Sequence, residues 1–125
     1  MPVHFEIQAA DPEAAKAFYS GLFGWTYDTW PGFDGYFLVK AADIGQGHPI
    51  TGAIMSRSGE SPAPHSSPRG AVITLPVAST DESYTWALGH GGAEAMPPFD
   101  IEGVGRVAYV EDGQGNIVGM IQASM

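Results

Sequence analysis

No cysteine occurs among the 125 residues. That excludes disulfide scaffolds, thiolate metal sites and cysteine nucleophiles. Positive charge is also scarce: 5 Lys and Arg stand against 14 Asp and Glu, a net charge of −9 at pH 7. A generic nucleic-acid binder needs a basic face to displace counterions from phosphates, so no nucleic-acid partner is expected. The same sign argues against anionic membrane surfaces. No apolar run approaches the roughly 20 residues of a membrane helix, and no signal-peptide pattern is present, so a cytoplasmic location is expected. The chain also lacks a Ser-His-Asp order, a phosphate-binding glycine motif and an H-E-x-x-H pattern. Hydrolase and nucleotide-binding readings therefore have no support.

What is present suits one ordinary globular domain. Hydrophobic residues make up 44% of the chain, too many for an intrinsically disordered segment. Seventeen glycines and ten prolines point to many turns and a strand-rich architecture. Val3, Phe5 and Ile7 alternate with His4, Glu6 and Gln8, the period of a half-buried strand. Asp11-Pro12-Glu13 reads as an N-cap, a proline at the first helical position and an acid in the first turn. Ala15, Phe18, Tyr19, Leu22 and Phe23 then form one helical stripe, and Gly24 stops it. Strands are expected at Trp25–Trp30, Tyr36–Ala42 and Ile50–Met55, with a loop at Gly45–Pro49. Arg57–Arg69, with three prolines and four serines, reads as a surface linker.

The order then repeats. A strand at Ala71–Val77 precedes Ser79 and Glu82, spaced as a capping box. Tyr84, Ala87 and Leu88 are the expected apolar stripe of the second helix, with Gly91-Gly92 ending it. Ala93–Ile101 is a strand that Pro97-Pro98 should confine to an edge or a bulge. Arg106–Glu111 and Ile117–Gln122 flank a hairpin turn. His4 lies seven residues before Asp11, and Val72 seven before Ser79. The chain is thus an α+β protein of two β-α-β-β-β modules, residues 1–56 and 70–125 joined by 57–69, whose sheets can curl around a cavity.

Two segments carry a family resemblance. HFEIQAADPEAAKAFYSGLFGW at His4–Trp25 resembles the opening module of the vicinal oxygen chelate superfamily, which contains glyoxalases, bleomycin-resistance proteins, fosfomycin-resistance enzymes and extradiol dioxygenases. VAYVEDGQGNIVGMIQ at Val107–Gln122 resembles its closing hairpin, with Gly113 where the family commonly has proline. The His-Phe-Glu opening is similar to that of poorly characterised glyoxalase-like members. The resemblance implies lyase, isomerase, transferase or dioxygenase chemistry on a substrate with neighbouring oxygens, and a homodimer. It also implies four positions for a divalent metal. These fall on His4, near Gly52 (where only Thr51 carries an oxygen), on Val72 and on Gly119. A catalytic zinc usually has three protein ligands. No metal cofactor is therefore expected, and His4 is the ligand if a divalent ion does bind.

Among individual residues, His4 and Glu6 share a strand face with Cβ atoms about 7 Å apart, and such a pair suits acid–base work. They are the candidate catalytic residues, with His4 as base and Glu6 as its orienter. The alternative is a structural hydrogen bond in a polar pocket or at a dimer contact. Thr74, Tyr36, Tyr109 and Met55 are candidate lining residues for a small-molecule ligand, although packing alone also accounts for the tyrosines and the methionine. Glu111-Asp112 reads as turn chemistry, Trp25 as a core anchor, and His48 and His65 as solvated loop residues. Trp30 and Phe33 border a turn and are candidates for a pocket mouth or a dimer surface. Catalysis and non-catalytic sequestration of a drug or metabolite both remain open; the acidic chain suits a cationic ligand in the second case.

Overall fold

The computed structural model describes residues 3–29, 34–40, 50–66 and 70–124. The expected strand end at Trp30, the turn Trp30–Phe33, the loop Gly45–Pro49 with His48, and Arg69 lie outside the described residues. The chain forms two compact units, Met1–Ser61 and Pro62–Met125. Each holds one four-stranded mixed sheet and one helix, the paired β-α-β-β-β arrangement of an α+β protein.

In the first unit, β1 (Val3–Ala9) is followed by α1 (Pro12–Phe23), β2 (Tyr27–Thr29), β3 (Tyr36–Val39) and β4 (Ile50–Ser56), in sheet order β1-β4-β3-β2. β1 runs parallel to β4, which the crossover through α1 permits. The Asp11 carboxylate accepts the Ala14 N–H at 3.1 Å, and Pro12 begins the helix. At the other end Gly24 adopts φ 76°, a left-handed geometry that glycine takes without a Cβ clash, and its N–H reaches the Ser20 carbonyl at 2.8 Å. Ala15, Phe18, Tyr19 and Leu22 are buried. Trp25 stacks on Tyr19 with centroids 5.2 Å apart and also meets Phe5 and Phe23. It is the expected core anchor.

In the second unit, β5 (Ile73–Pro76), α2 (Thr80–Gly89), β6 (Ala93–Ile101), β7 (Gly105–Glu111) and β8 (Ile117–Ala123) give the order β5-β8-β7-β6. β6 is an edge strand whose register slips between Glu94 and Met96 and again between Met96 and Phe99, the second slip spanning Pro97-Pro98, which cannot donate to the ladder. Ser79 caps α2 by accepting the Glu82 N–H at 3.2 Å. The helix runs to Gly89 with His90 as its C-cap, and the expected glycine stop follows: Gly91 takes φ 94° and the Gly92 N–H donates to the Ala87 carbonyl at 2.9 Å. Its buried residues are Thr80 and Ala87, and Leu88 is exposed. The stripe runs through Thr80, Ser83, Tyr84 and Ala87, leaving Leu88 about 100° round the helix from Ala87.

Polar bonds fasten this helix. The Thr80 hydroxyl donates to the Arg106 carbonyl at 2.6 Å, and the Thr80 N–H donates to the Gln122 amide oxygen at 3.1 Å. Arg106 donates to both oxygens of Asp81, at 2.7 and 3.1 Å, and to Asp100 at 3.2 Å. The guanidinium holds the Asp81 carboxyl below its ordinary range. The expected linker is partly built into this unit. The Glu111 carboxylate accepts the His65 N–H at 2.9 and 3.0 Å and lies 3.1 Å from His65 Nδ1, while the side chain of His65 stays 70% exposed. His65 is therefore exposed but paired, held by a buried acid whose lone pairs need donors. Asp112 does the expected turn work, accepting from the N–H groups of Gln114 and Asn116.

Candidate functional site

Alternation along β1 sends Phe5 and Ile7 toward α1 and His4 and Glu6 to the opposite face. Register then adds partners to that opposite face. Thr51 stands beside His4, Ala53 beside Glu6 and Met55 beside Gln8, and Tyr36 of β3 lies opposite Met55. The residue beside His4 is therefore Thr51, not Gly52. Gly52 faces the helix side, where an added Cβ would fall 2.2 Å from the Phe5 ring.

Four polar side chains of this face form one hydrogen-bonded row. Thr51 Oγ1 lies 2.7 Å from His4 Nδ1, and His4 Nε2 lies 2.9 Å from the Tyr36 hydroxyl. Tyr36 donates to Glu6 Oε2 at 2.7 Å. The direct His4 Nε2 to Glu6 Oε2 separation is 3.7 Å, so the tyrosine bridges the pair. The side chains of His4 and Glu6 are 35% and 42% exposed, open enough to meet a ligand. Burial, then the hydrogen bond to Glu6, then the Glu6 charge push the Tyr36 phenol up to about 12, so it stays protonated around neutrality. Tyr36 is one of the candidate lining residues, and its bridging place depends on the β3–β4–β1 register. Thr51 carried one sequence signal, the oxygen nearest the second family position.

Thr74 and Tyr109 come together in the second unit. Both flank Gly119 on the face away from the buried Met120 and Val118, and an added Cβ there would meet the Thr74 hydroxyl at 2.4 Å and the Tyr109 ring at 2.7 Å. His4, Glu6, Tyr36 and Met55 thus belong to one unit, and Thr74 and Tyr109 to the other.

A family-type divalent metal does not fit the donors of either unit. Among the described residues, the helix-free face of the first unit brings together one imidazole and one carboxylate, with both ring nitrogens already hydrogen-bonded. In the second, Gly119 has no donor and the space for one is filled by Thr74 and Tyr109. No three His, Asp or Glu side chains converge among the described residues.

Residues 2–120 match the family model described as the Glyoxalase/Bleomycin resistance protein/Dioxygenase superfamily. CFP32 of Mycobacterium tuberculosis, named as a candidate glyoxylase, is 32% identical over 123 residues, 98% of this chain but 46% of its own length. The protein of the same name from Mycobacterium bovis matches equally, so the chain spans about half the length of these curated relatives. Among solved structures, the hypothetical protein SA1046 of Staphylococcus aureus superposes with a TM-score of 0.72 at 20% identity, covering 98% of this chain and 97% of that one. The fosfomycin resistance protein FosX of Listeria monocytogenes gives 0.72 at 14%, covering 100% and 92%. A glyoxalase/bleomycin resistance protein from Albidiferax ferrireducens gives 0.69 at 16%, covering 98% of each chain. These three establish a shared fold. Among the described residues, no helix is long and apolar enough to cross a membrane.

Proposed function

The chain belongs to the glyoxalase/bleomycin resistance protein/dioxygenase superfamily, and on that premise we propose that it binds a small molecule on the helix-free face of its first sheet. The observation that supports this is the row Thr51–His4–Tyr36–Glu6, held together by hydrogen bonds and left open to solvent. Buried polar rows of this kind are usually closed by their own partners; here a carboxylate and an imidazole stay accessible. If the molecule is turned over, the row supplies acid–base chemistry of the lyase or isomerase kind, with Met55 beside Tyr36 as an adaptable apolar contact. The work needs no nucleic acid or membrane partner and suits the cytoplasm. A dioxygenase reaction is the least supported, because the donors fall short of a two-histidine, one-carboxylate triad.

Sequestration without turnover is the second reading, favoured by that same shortage of metal ligands and by the net charge of −9, which attracts cations. Thermal-shift screening of small oxygenated metabolites and cationic drugs, with metal content measured on the same preparation, tests both. A ligand that stabilises the wild type and loses at least tenfold in affinity in Glu6→Gln supports the site, provided the variant folds within about 1–2 kcal/mol of the wild type. A ligand bound equally by both proteins removes the row from the function. One equivalent of metal that disappears in His4→Ala would restore a metal mechanism.

The chain also acts as a homodimer in this reading. β6 is an edge strand that exposes Met96 (46%), and Val104 (48%) is exposed in the turn after it. Such an edge is normally paired or covered. Light scattering at micromolar concentration and about 150 mM salt, where charge repulsion is screened beyond roughly 8 Å, should give about twice the 13.2 kDa chain mass. A mass of one chain excludes the dimer.

A further inference from the structure

The row on the first sheet has a direction, set by counting protons. Tyr36 owns one hydroxyl proton and gives it to Glu6 Oε2, which as a carboxylate can only accept. The contact between His4 Nε2 and the Tyr36 oxygen must therefore use a proton on the imidazole, so Nε2 is the N–H nitrogen. In the neutral ring Nδ1 then carries the lone pair, and it faces the Thr51 hydroxyl at 2.7 Å. The basic nitrogen of His4 is thus turned toward Thr51. Glu6 keeps a second oxygen, Oε1, that receives no hydrogen bond among the described residues.

We propose that Glu6, and not His4, is the proton acceptor that meets the ligand, and that Tyr36 is the positioning residue that fixes the carboxylate and the imidazole tautomer together. The proposal rests on the reading that this face is the ligand site, and it names the class of molecule the face takes. That molecule offers a proton at Glu6: an alcohol, an amine, or a carbon acid beside a carbonyl. In a reaction, the ligand's O–H, N–H or C–H proton passes to Glu6 Oε1 and the bonding electron pair stays on the ligand. Tyr36 then keeps its own proton and holds Oε2 in place, and His4 stabilises the tyrosine oxygen from behind.

Nitrogen-15 NMR of the full chain tests this without any ligand. The four histidines are resolved and His4 is assigned by its loss in His4→Gln. The expected result is a protonated-type Nε2. An Nδ1–H tautomer with an unprotonated Nε2 overturns the assignment. The second measurement follows the Tyr36 ring carbon through alkaline titration in wild type and in Glu6→Gln. Removing the anion should shift that titration to lower pH, whereas an unchanged titration would overturn the Tyr36–Glu6 link. These outcomes are separate from the fate of the functional reading. A face that binds no small molecule would remove the ligand role and leave the tautomer standing; an Nδ1–H ring would do the reverse.

Discussion

The two units share one topology and are held by different forces. α1 is fixed by aromatic packing, with Trp25 against Tyr19, Phe5 and Phe23. α2 is fixed by directional bonds from Thr80, Asp81 and Tyr84 to the sheet beneath it. The exposed faces differ in the opposite sense. The first sheet carries an imidazole, a carboxylate and two hydroxyls in one row, while the corresponding face of the second holds Thr74 and Tyr109 around Gly119. Where the helix is glued by apolar area, the far face of the sheet carries the polar row. Where the helix is glued by polar bonds, the far face has become hydroxyl-bearing and closely packed. A β-α-β-β-β module therefore does not dictate where its polar groups go, and the chemistry of each face has to be read from its own residues.

The largest test of this contrast is a pair of substitutions. Trp25→Ala should destabilise the protein by about 3–5 kcal/mol, the usual cost of removing a buried large aromatic side chain. Thr80→Val keeps the volume but leaves the Arg106 carbonyl without its donor, and should cost about 1–3 kcal/mol. Urea denaturation followed by tryptophan fluorescence and circular dichroism measures both. Equal costs would mean that the two helices are held in the same way.

Much of this architecture was legible because local signals are strong. Asp11-Pro12 and Gly24 bracket α1 through requirements of the backbone itself, and Pro97-Pro98 announces an edge strand because proline cannot donate to a ladder. Alternation also placed His4 and Glu6 on one face. The bridge between them was not legible, because Tyr36 is 30 residues from Glu6 and reaches it only through the pairing of β3 with β4 and of β4 with β1. A one-residue offset decides between Thr51 and Gly52 and exchanges the two faces of the strand. The clamp between Glu111 and His65 escaped for a similar reason. Its polar, proline-rich segment looks unable to pack, yet a single buried carboxylate is enough to hold it. In α2 the buried stripe includes the polar Thr80 and leaves out Leu88; the Thr80 hydroxyl and N–H both find partners in the sheet.

A smaller effect is expected at Gly119. It stands beside Thr74 as Ala53 stands beside Glu6, with both Thr74 and Glu6 five residues before a helix N-cap. The first sheet accommodates a methyl group at this place, and the second does not without movement of the Thr74 hydroxyl and the Tyr109 ring. Gly119→Ala should therefore cost about 1–3 kcal/mol through overpacking. Thr74→Ala in the same chain should return part of it, because the nearest atom is removed. A Gly119→Ala protein as stable as wild type would show that the second face is loosely packed, and would blur the contrast between the two units.

The finest comparison uses a feature the units have in common. Tyr36 donates to Glu6 in the first, and Tyr84 donates to Glu94 in the second. Both phenols are pushed up to about 12, by burial first and then by the hydrogen bond and charge of the partner carboxylate. In the unfolded chain a tyrosine titrates near 10. Between those values the folded state retains protons that the unfolded state has lost, so the stability these groups contribute is complete below about pH 10 and is lost as pH rises through about 12. Alkaline titration followed by phenolate absorbance should show a late component at high pH that shrinks in Tyr36→Phe and again in Tyr84→Phe. Only the Tyr36 component involves an imidazole, because only that phenol oxygen also accepts from a histidine. An N–H donor on the phenol oxygen favours the phenolate, so replacing His4 with an apolar residue should raise the Tyr36 titration further and leave that of Tyr84 where it is. If His4→Leu moves both tyrosines or neither, the row on the first sheet is not the separate, directed network that its geometry describes.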